Sequence, residues 1–293
     1  MKKISFCLFY IIVAAFCEVT FAQQQSAGGD ELIVGYYGRP NTSSLGVLGQ
    51  YSIAELVPII KAKADEYDQI NGDSAVVPAF HLIYGLAAGD PGRNKEYLLP
   101  LSSKILMEYI DAAQKNGFLV FIDTQLGALT PIEAVKPVLK YLKYDSVHLA
   151  IDPEFEVNGL DVAPGREIGH VTGEQINEVQ SAMSSYLKDN GIKKDKILMV
   201  HRFTNGMIKD PQVVKPYDQI DLIMNLDGHG SPELKVKIYN SLYTSDASTN
   251  SYGGFKLFFK EDKPEMMTPT QVLGMESVSK SKIKVPPRYI NYQ

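Results

Sequence analysis

The feature that most constrains the fold is a regular order of apolar runs separated by helical segments. Eight runs rich in β-branched and aromatic residues lie at Leu32–Tyr37, Ala75–Ile83, Phe118–Thr124, Val147–Phe155, Lys196–Phe203, Ile220–Leu226, Gly254–Phe259 and Arg288–Tyr292. Runs of this kind, continuously apolar rather than alternating, are typical of parallel strands that are covered by helices. Eight of them in about 260 residues predict a single α/β domain, a (β/α)8 TIM-type barrel whose last helix is missing.

The segments between the runs carry signals for helix starts. Ile53, Leu56, Val57 and Ile60 follow the i, i+3, i+4, i+7 spacing of a buried helix face. The capping-box pattern S/T-x-x-E/Q occurs at Ser52/Glu55, Thr130/Glu133, Thr172/Gln175 and Thr268/Gln271. No G-x-G-x-x-G follows the first run and no G-x-x-x-x-G-K-[ST] is present in the sequence. Their absence argues against the open-sheet folds that bind nucleotides.

The first residues have the three parts of a secretory signal. Lys2 and Lys3 precede an apolar run that ends at Cys17, and small residues follow at Thr20 and Ala22. The run has about 14 residues, whereas a permanent membrane span needs about 20. We therefore predict a signal peptide at residues 1–22, a disordered leader at 23–30 and the barrel domain at 31–293. The predicted location is secreted or periplasmic, without stable membrane insertion.

The charge balance excludes one large class of partners. The chain contains 29 Lys and Arg against 34 Asp and Glu, which gives a formal net charge of −5. There is no basic block or Arg-rich stripe, so nucleic acid is not an expected partner.

Polar residues concentrate at the predicted carboxyl ends of the strands. In (β/α)8 barrels, this end carries the active site. The polar residues there are Tyr36, Tyr37, Arg39, His81, Asp123, Gln125, Asp152, Glu154, Glu156, His201, Arg202, Asn225, Asp227, His229, Glu261 and Asp262. A single aspartate at a strand end, such as Asp123, is more often a helix cap than a catalyst.

The fourth run carries three acidic residues at alternate positions, Asp152, Glu154 and Glu156. If the strand stays extended to its end, all three side chains project to one face. Neighbouring carboxylates raise at least one pKa, which is how a general acid stays protonated near neutral pH. The alternative is that the strand ends at Pro153 and the two glutamates are solvated loop residues, paired with Arg166 or Arg202.

The block LAIDPEFE resembles the strand-4 signature D-x-x-D-x-D-x-E of glycoside hydrolase family 18, the chitinase-like barrels. Asp152, Glu154 and Glu156 stand on its last three acidic positions. IDLIMNLDGHG is similar to that family's M-x-Y-D segment, with Met224 and Asp227 in register, and LIVGYYGRP is similar to its first strand. The resemblance implies that Glu156 protonates the leaving oxygen and that Glu154 orients the acetamido group of the substrate.

The sequence departs from this family at several positions. Leu149 replaces the first Asp, Glu154 replaces a shorter Asp, and Leu226 stands where the family has a Tyr. The chain contains no Trp, so only Tyr and Phe rings are available to contact sugars. As a whole, it resembles a group of secreted bacterial barrel proteins more closely than an active chitinase.

We therefore predict a secreted glycoside hydrolase-like barrel that acts on an oligo- or polysaccharide by carboxylate general acid catalysis. The predicted catalytic residues are Glu154, Glu156, Asp152 and Asp227. The predicted substrate-binding residues are Tyr36, Tyr37, Arg39, His81, Asp123, His201, Arg202, Asn225 and Glu261. No cofactor and no metal ion is predicted.

Three other interpretations stay open from the sequence. Ordinary two-carboxylate hydrolysis would use Glu154 with Glu261 or Asp262. A barrel of the same fold can also bind a glycan without cleaving it. A metal-dependent hydrolase would place a divalent ion among histidines and carboxylates. Its candidate ligands are His81, His201, His229, Asp152 and Asp227.

Overall fold

The computed structural model describes residues 31–72, 74–246 and 251–293. The predicted signal peptide and leader lie outside the described residues. Within the described residues, no helix is long and apolar enough to cross a membrane.

In the described part of the chain, eight parallel strands close into a barrel, as the sequence predicts. They are β1 (Leu32–Gly38), β2 (Val76–Ala87), β3 (Leu119–Thr124), β4 (Val147–Ile151), β5 (Lys196–Arg202), β6 (Ile220–Leu226), β7 (Tyr252–Leu257) and β8 (Tyr289–Tyr292). Each strand pairs with the next along the chain, and β8 pairs with β1. This last pairing closes the ring.

The described residues contain six α-helices outside the barrel. They are α1 (Ile53–Asp68), α2 (Ser103–Asn116), α3 (Pro131–Val135), α4 (Gly173–Asp189), α5 (Pro232–Asp246) and α6 (Pro269–Val272). The capping boxes predicted from the sequence form at the starts of α1, α3, α4 and α6. Within the described residues, only Gln293 follows β8, so no eighth helix is present there.

Short strands and 3-10 turns lie in the loops. Leu98–Pro100 pairs antiparallel with the end of β2, and Val171–Thr172 pairs with Ile208–Lys209. Short 3-10 turns lie at Val47–Gly49, Leu139–Lys143, Pro153–Phe155, Asn205–Met207 and Pro211–Val213.

The inside of the barrel has an apolar layer below a polar one. The apolar layer consists of Ile33, Ala79, Phe121, Ala150, Ile197, Met199, Ile223 and Tyr289. Because successive side chains of a strand point to opposite faces, Tyr37 points inward like Ile33, whereas Tyr36 points outward. The outward side chains form a larger apolar cluster with the helices. Inward residues nearer the carboxyl ends are mostly polar, which places the candidate site there.

The fourth strand is shorter than predicted. β4 ends at Ile151, and Pro153–Phe155 form a 3-10 turn. Asp152 caps this turn, since its Oδ1 accepts a hydrogen bond from the Glu154 backbone N–H at 3.1 Å. The condition for three acidic side chains to share one face, a strand that stays extended to Glu156, is therefore not met. The chain leaves the strand before Pro153, as in the alternative interpretation. Proline has no N–H to donate to a neighbouring strand, and its fixed φ favours a turn.

Candidate active site at the carboxyl ends of the strands

Asp123, at the end of β3, lies at the centre of a polar cluster inside the barrel. Its Oδ2 accepts a hydrogen bond from Tyr37 Oη at 3.1 Å. The same oxygen lies 3.5 Å from His81 Nε2 and 3.4 Å from His201 Nε2. All four residues are at most 2% exposed. Side chains from β1, β2, β3 and β5 thus meet at one point inside the barrel.

Each of the two imidazoles is held by its other ring nitrogen. His81 Nδ1 lies 2.7 Å from Tyr289 Oη. His201 Nδ1 lies 3.0 Å from Asp227 Oδ2, and Asn225 Nδ2 is 3.3 Å from the same nitrogen. These contacts fix both rings so that each Nε2 is directed at the central carboxylate.

Lys256 in β7 completes the cluster and was missed by the sequence analysis. Its Nζ lies 2.8 Å from Asp227 Oδ1, with the two side chains 4% and 6% exposed. The same ammonium sits 3.5 Å from the centroid of the Tyr37 ring, a cation–π contact. The sequence contained one signal: Lys256 is two residues after the inward Gly254, so it shares the inward face of a buried strand.

Burial and neighbouring charges move the pKa values of this cluster in opposite directions. Burial raises the pKa of Asp152 to about 8, and the Asp227 and Asp123 carboxylates add to the effect. Burial alone would also raise the pKa of Asp227, but Lys256 and His201 lower it to about 2. Burial alone would lower the pKa of His201, but Asp123 and Asp227 raise it to about 10. Near neutral pH, these directions favour a protonated Asp152 beside an ionised Asp227.

The two glutamates after β4 have different surroundings. Glu154 is partly exposed, and its pKa is raised by burial and then by the charge of Asp227. Glu156 is 8% exposed, and its Oε1 accepts a hydrogen bond from the Asn158 N–H at 2.8 Å. Burial raises the pKa of Glu156, while the charges that lower it come from His170 and Lys209. Glu154 therefore interacts with the barrel cluster, and Glu156 interacts with the loop that follows.

The two arginines predicted to bind substrate hold backbone carbonyls. Arg39 Nη1 donates to the carbonyls of Ile83 and Tyr84 at 3.1 and 3.0 Å. Arg202 Nε donates to the carbonyl of Thr204 at 3.2 Å. Both guanidinium groups therefore support the loops around the barrel mouth. Gln125 supports the end of β2 in a similar way, since its Oε1 accepts a hydrogen bond from the Ala87 backbone N–H at 3.0 Å.

Tyr36 and Glu261 lie apart from the central cluster, along a groove on the same face of the barrel. Tyr36 stacks on Phe259, with the ring centroids 6.1 Å apart. Tyr51 and Phe259 are each 44% exposed, and Glu261 is exposed. The groove has a volume of about 280 Å³. Its lining comprises Tyr36, Ser43, Ser44, Gly46, Val47, Gln50, Tyr51, Ile59, Phe259, Lys260, Glu261 and Gln293.

His229 and Asp262 also lie apart from the central cluster. His229 is exposed and packs edge-on against Phe258, 5.9 Å between ring centroids. Asp262 is buried against Lys235, whose Nζ is 2.7 Å from its Oδ2. Of the histidines proposed as ligands from the sequence, the structure brings His81 and His201 together, and it joins them to Asp123 instead of His229. Among the described residues, these three form the group that could hold a metal ion.

Comparison with known proteins finds similarity among solved structures. No protein-family model and no curated protein matches the chain. A GH18 chitinase from Pseudoalteromonas aurantia is 13% identical, with 89% of this chain and 93% of that chain covered and a TM-score of 0.42. The catalytic domain of GH30 xylanase C from Talaromyces cellulolyticus is 9% identical, with 80% and 72% covered and a TM-score of 0.34.

A third similar structure is alpha-N-acetylgalactosaminidase NagBb from Bifidobacterium bifidum, in complex with GalNAc. It is 12% identical, with 78% of this chain and 42% of that chain covered and a TM-score of 0.32. At these low identities, the chain is similar to barrels of glycoside hydrolases.

Proposed function

We propose that this chain is an exported glycoside hydrolase-like barrel that hydrolyses an oligo- or polysaccharide, with Glu154 as the general acid. The observation that supports this most is the placement of Glu154. Its partly exposed carboxyl stands beside Asp227, whose own side chain is 6% exposed and ion-paired. Export is supported by the signal-like residues 1–22.

The raised pKa of Glu154 suits the role of an acid. Burial disfavours its charged form, and the charge of Asp227 disfavours it further. Glu154 would give its proton to the glycosidic oxygen while the bond from that oxygen to the anomeric carbon breaks. Water then adds to the anomeric carbon, and its proton returns to the Glu154 carboxylate.

Asp227 would have an electrostatic role. Both of its oxygens are engaged, Oδ1 with Lys256 at 2.8 Å and Oδ2 with His201 at 3.0 Å. A carboxylate held in this way stays fixed while positive charge develops on the sugar ring, and such preorganised charges stabilise a transition state. These two contacts keep Asp227 from acting as a free nucleophile.

The groove beside Tyr36 supports a carbohydrate as the substrate. It combines the exposed aromatic faces of Tyr51 and Phe259 with the carboxylate of Glu261. Sites for small molecules combine aromatic and apolar walls with polar groups that orient the ligand. The lining of this groove also includes Ser, Gln, Lys and Glu side chains. Because Phe259 and Glu261 follow the end of β7, and Tyr36 lies near the carboxyl end of β1, the groove opens on the same face as Glu154.

The test is glycan release by the mature protein on chitin fragments, peptidoglycan, and plant and microbial polysaccharides. We expect Glu154→Gln to lower kcat by about 10²- to 10⁴-fold, the usual contribution of a general acid, while binding is retained. Glu167→Gln is the matched control, because Glu167 is an exposed acid in the same loop. Loss of activity in Glu156→Gln with full activity in Glu154→Gln would assign the acid to Glu156. Glycan binding without release by the unmodified protein would support a non-catalytic barrel instead.

The pH dependence gives an independent check. Glu154 must be protonated to act, so kcat/KM is expected to fall as pH rises through its raised pKa and to be maintained below it. Apart from burial, the pKa of Glu154 is raised by Asp227 and lowered by Lys256, His201 and His229. In Glu154→Gln, the residual kcat/KM should not show this decrease with rising pH. A kcat/KM that increases from about pH 5 to about pH 8 would contradict the assignment of Glu154 as the general acid.

A further inference from the structure

We propose that His81 Nε2, His201 Nε2 and the Asp123 carboxylate form a binding site for a divalent transition-metal ion. From the sequence, no metal ion is predicted, and the metal-dependent interpretation that stays open does not include Asp123 among its ligands. In the fold, one ligand atom from each of the three residues lies within 4.8 Å of the others. Two imidazoles and a carboxylate are ligands that Zn²⁺ and related ions prefer.

The distances fit metal coordination better than direct hydrogen bonds. Ligands at about 2.0–2.1 Å from a tetrahedral Zn²⁺ lie about 3.3–3.5 Å from one another. Asp123 Oδ2 is 3.5 Å from His81 Nε2 and 3.4 Å from His201 Nε2. Hydrogen bonds between nitrogen and oxygen are usually about 2.7–3.2 Å long. The two distances to Asp123 Oδ2 therefore suit an ion held between the carboxylate and the two imidazoles.

In the described part of the chain, the two imidazole nitrogens of the proposed site, and one oxygen of its carboxylate, make no hydrogen bond. Within the described residues, His81 Nε2, His201 Nε2 and Asp123 Oδ1 make no hydrogen bond, although all three side chains are 0% exposed. A buried polar atom without a partner is destabilising, and such atoms are few in folded proteins. Two of these atoms, His81 Nε2 and His201 Nε2, lie within 3.5 Å of Asp123 Oδ2, and a cation bound between them and this carboxylate would satisfy both nitrogens.

The surrounding contacts match those of metal-binding histidines. Such histidines usually use their second nitrogen to contact a carboxylate, carbonyl or water, which fixes the ring. Here His201 Nδ1 lies 3.0 Å from Asp227 Oδ2, and His81 Nδ1 lies 2.7 Å from Tyr289 Oη. Tyr37 Oη donates to the remaining ligand, Asp123, at 3.1 Å. All three ligands are therefore positioned by neighbours on other strands.

A proton on His201 is the alternative to a metal ion at this site. Without an ion, a protonated His201 would bridge the Asp123 and Asp227 carboxylates. With an ion, His201 is neutral at Nε2 and donates its Nδ1 proton to Asp227. The two states differ in whether a divalent ion binds in stoichiometric amount, which can be measured without a substrate. Failure of this proposal and failure of the proposed hydrolysis are thus distinguishable.

The experiment uses the purified mature protein, first analysed for bound metals and then treated with chelator and titrated with Zn²⁺ or Co²⁺. We expect one ion per chain, an increase in Tm on Zn²⁺ addition, and visible Co²⁺ absorption bands of low-symmetry coordination. His81→Gln and Asp123→Asn should each weaken Zn²⁺ binding by more than about tenfold. His229→Gln is the matched control and should bind like the unmodified protein, since His229 is an exposed histidine on the same face.

Two results would overturn the metal site. One is a folded, unmodified protein that takes up no stoichiometric Zn²⁺ or Co²⁺ and shows no change in Tm. The other is Zn²⁺ binding that survives in His81→Gln and Asp123→Asn but is lost in His229→Gln, which would place the ion on the surface. Far-UV circular dichroism of each variant separates loss of binding from loss of the fold, and Co²⁺ bands identify the coordination in any variant that folds.

Discussion

Replacing Lys256 with methionine is expected to lower the free energy of unfolding by about 3–5 kcal/mol, the usual effect of removing one partner of a buried ion pair. The ammonium lies 2.8 Å from Asp227 Oδ1, and both side chains are almost fully buried. Methionine fills similar space but leaves a buried carboxylate without this cation. It also removes the contact with the Tyr37 ring. Urea unfolding followed by circular dichroism measures the change.

Two further variants separate the ion pair from general effects of the substitution. Lys260→Met changes an exposed lysine just beyond β7 and should alter stability by less than about 0.5 kcal/mol. The double variant Lys256→Met/Asp227→Asn removes both charges and should regain most of the lost stability. It should not regain hydrolysis, because the proposed function needs the Asp227 charge. If Lys256→Met lowers the free energy of unfolding no more than Lys260→Met does, the Lys256–Asp227 ion pair does not stabilise the fold.

Asp262→Ala is expected to be destabilising by a similar amount, about 3–5 kcal/mol. Asp262 Oδ2 lies 2.7 Å from Lys235 Nζ, and each of the two side chains is 1% exposed. Its oxygens also accept hydrogen bonds from the backbone N–H groups of Phe258 and Gly230, at 2.9 and 3.0 Å. Asp262 thus joins the loop after β6 to the loop after β7, and alanine would leave Lys235 buried without its carboxylate.

The adjacent Glu261→Ala provides the comparison for Asp262→Ala. Glu261 is exposed, so its removal should change the free energy of unfolding by less than about 0.5 kcal/mol. From the sequence, either acid is a candidate nucleophile after strand 7. An Asp262→Ala protein that is as stable as Glu261→Ala but has lost hydrolysis would restore the catalytic interpretation of Asp262. Thermal and urea unfolding, with kcat measured on the same samples, distinguish the two cases.

The barrel itself was predictable because its signals are local and repeated. Strands such as Leu32–Gly38 and Ile220–Leu226 are buried along their whole length, so they appear in the sequence as mainly apolar runs. The starts of α1 and α4 were predictable for a different reason. Their capping residues are only three positions apart, and the interaction does not depend on the rest of the fold.

The path of the chain after β4 was not predictable from alternation alone. Alternation assumes an extended backbone, and Pro153 interrupts it by starting a turn. As a result, Glu154 and Glu156 have different neighbours although they are two residues apart in the sequence. The family resemblance assigns the acid to Glu156, whereas the surroundings of Glu154 favour that residue.

The interaction partners of the charged residues could not be predicted from the sequence either. Arg39 and Arg202 are polar residues close to strand ends, which predicts a place in the site, but in the fold they donate to backbone carbonyls. Lys256 was passed over because it stands between Phe255 and Leu257 in a buried strand. Residue type indicates which interactions a side chain can make, and long-range packing decides which of them it makes.

The closure of the barrel has a consequence for the order in which the protein can fold. β8 is hydrogen-bonded to β7 on one edge and to β1 on the other, so it joins strands from opposite ends of the chain. Until residues 289–292 have been synthesised, β1 and β7 each present an unpaired edge, which is prone to pair with other chains. Contacts between residues so distant in sequence also form slowly. The ring is therefore expected to close as a late event, and the chain must be protected from aggregation until then.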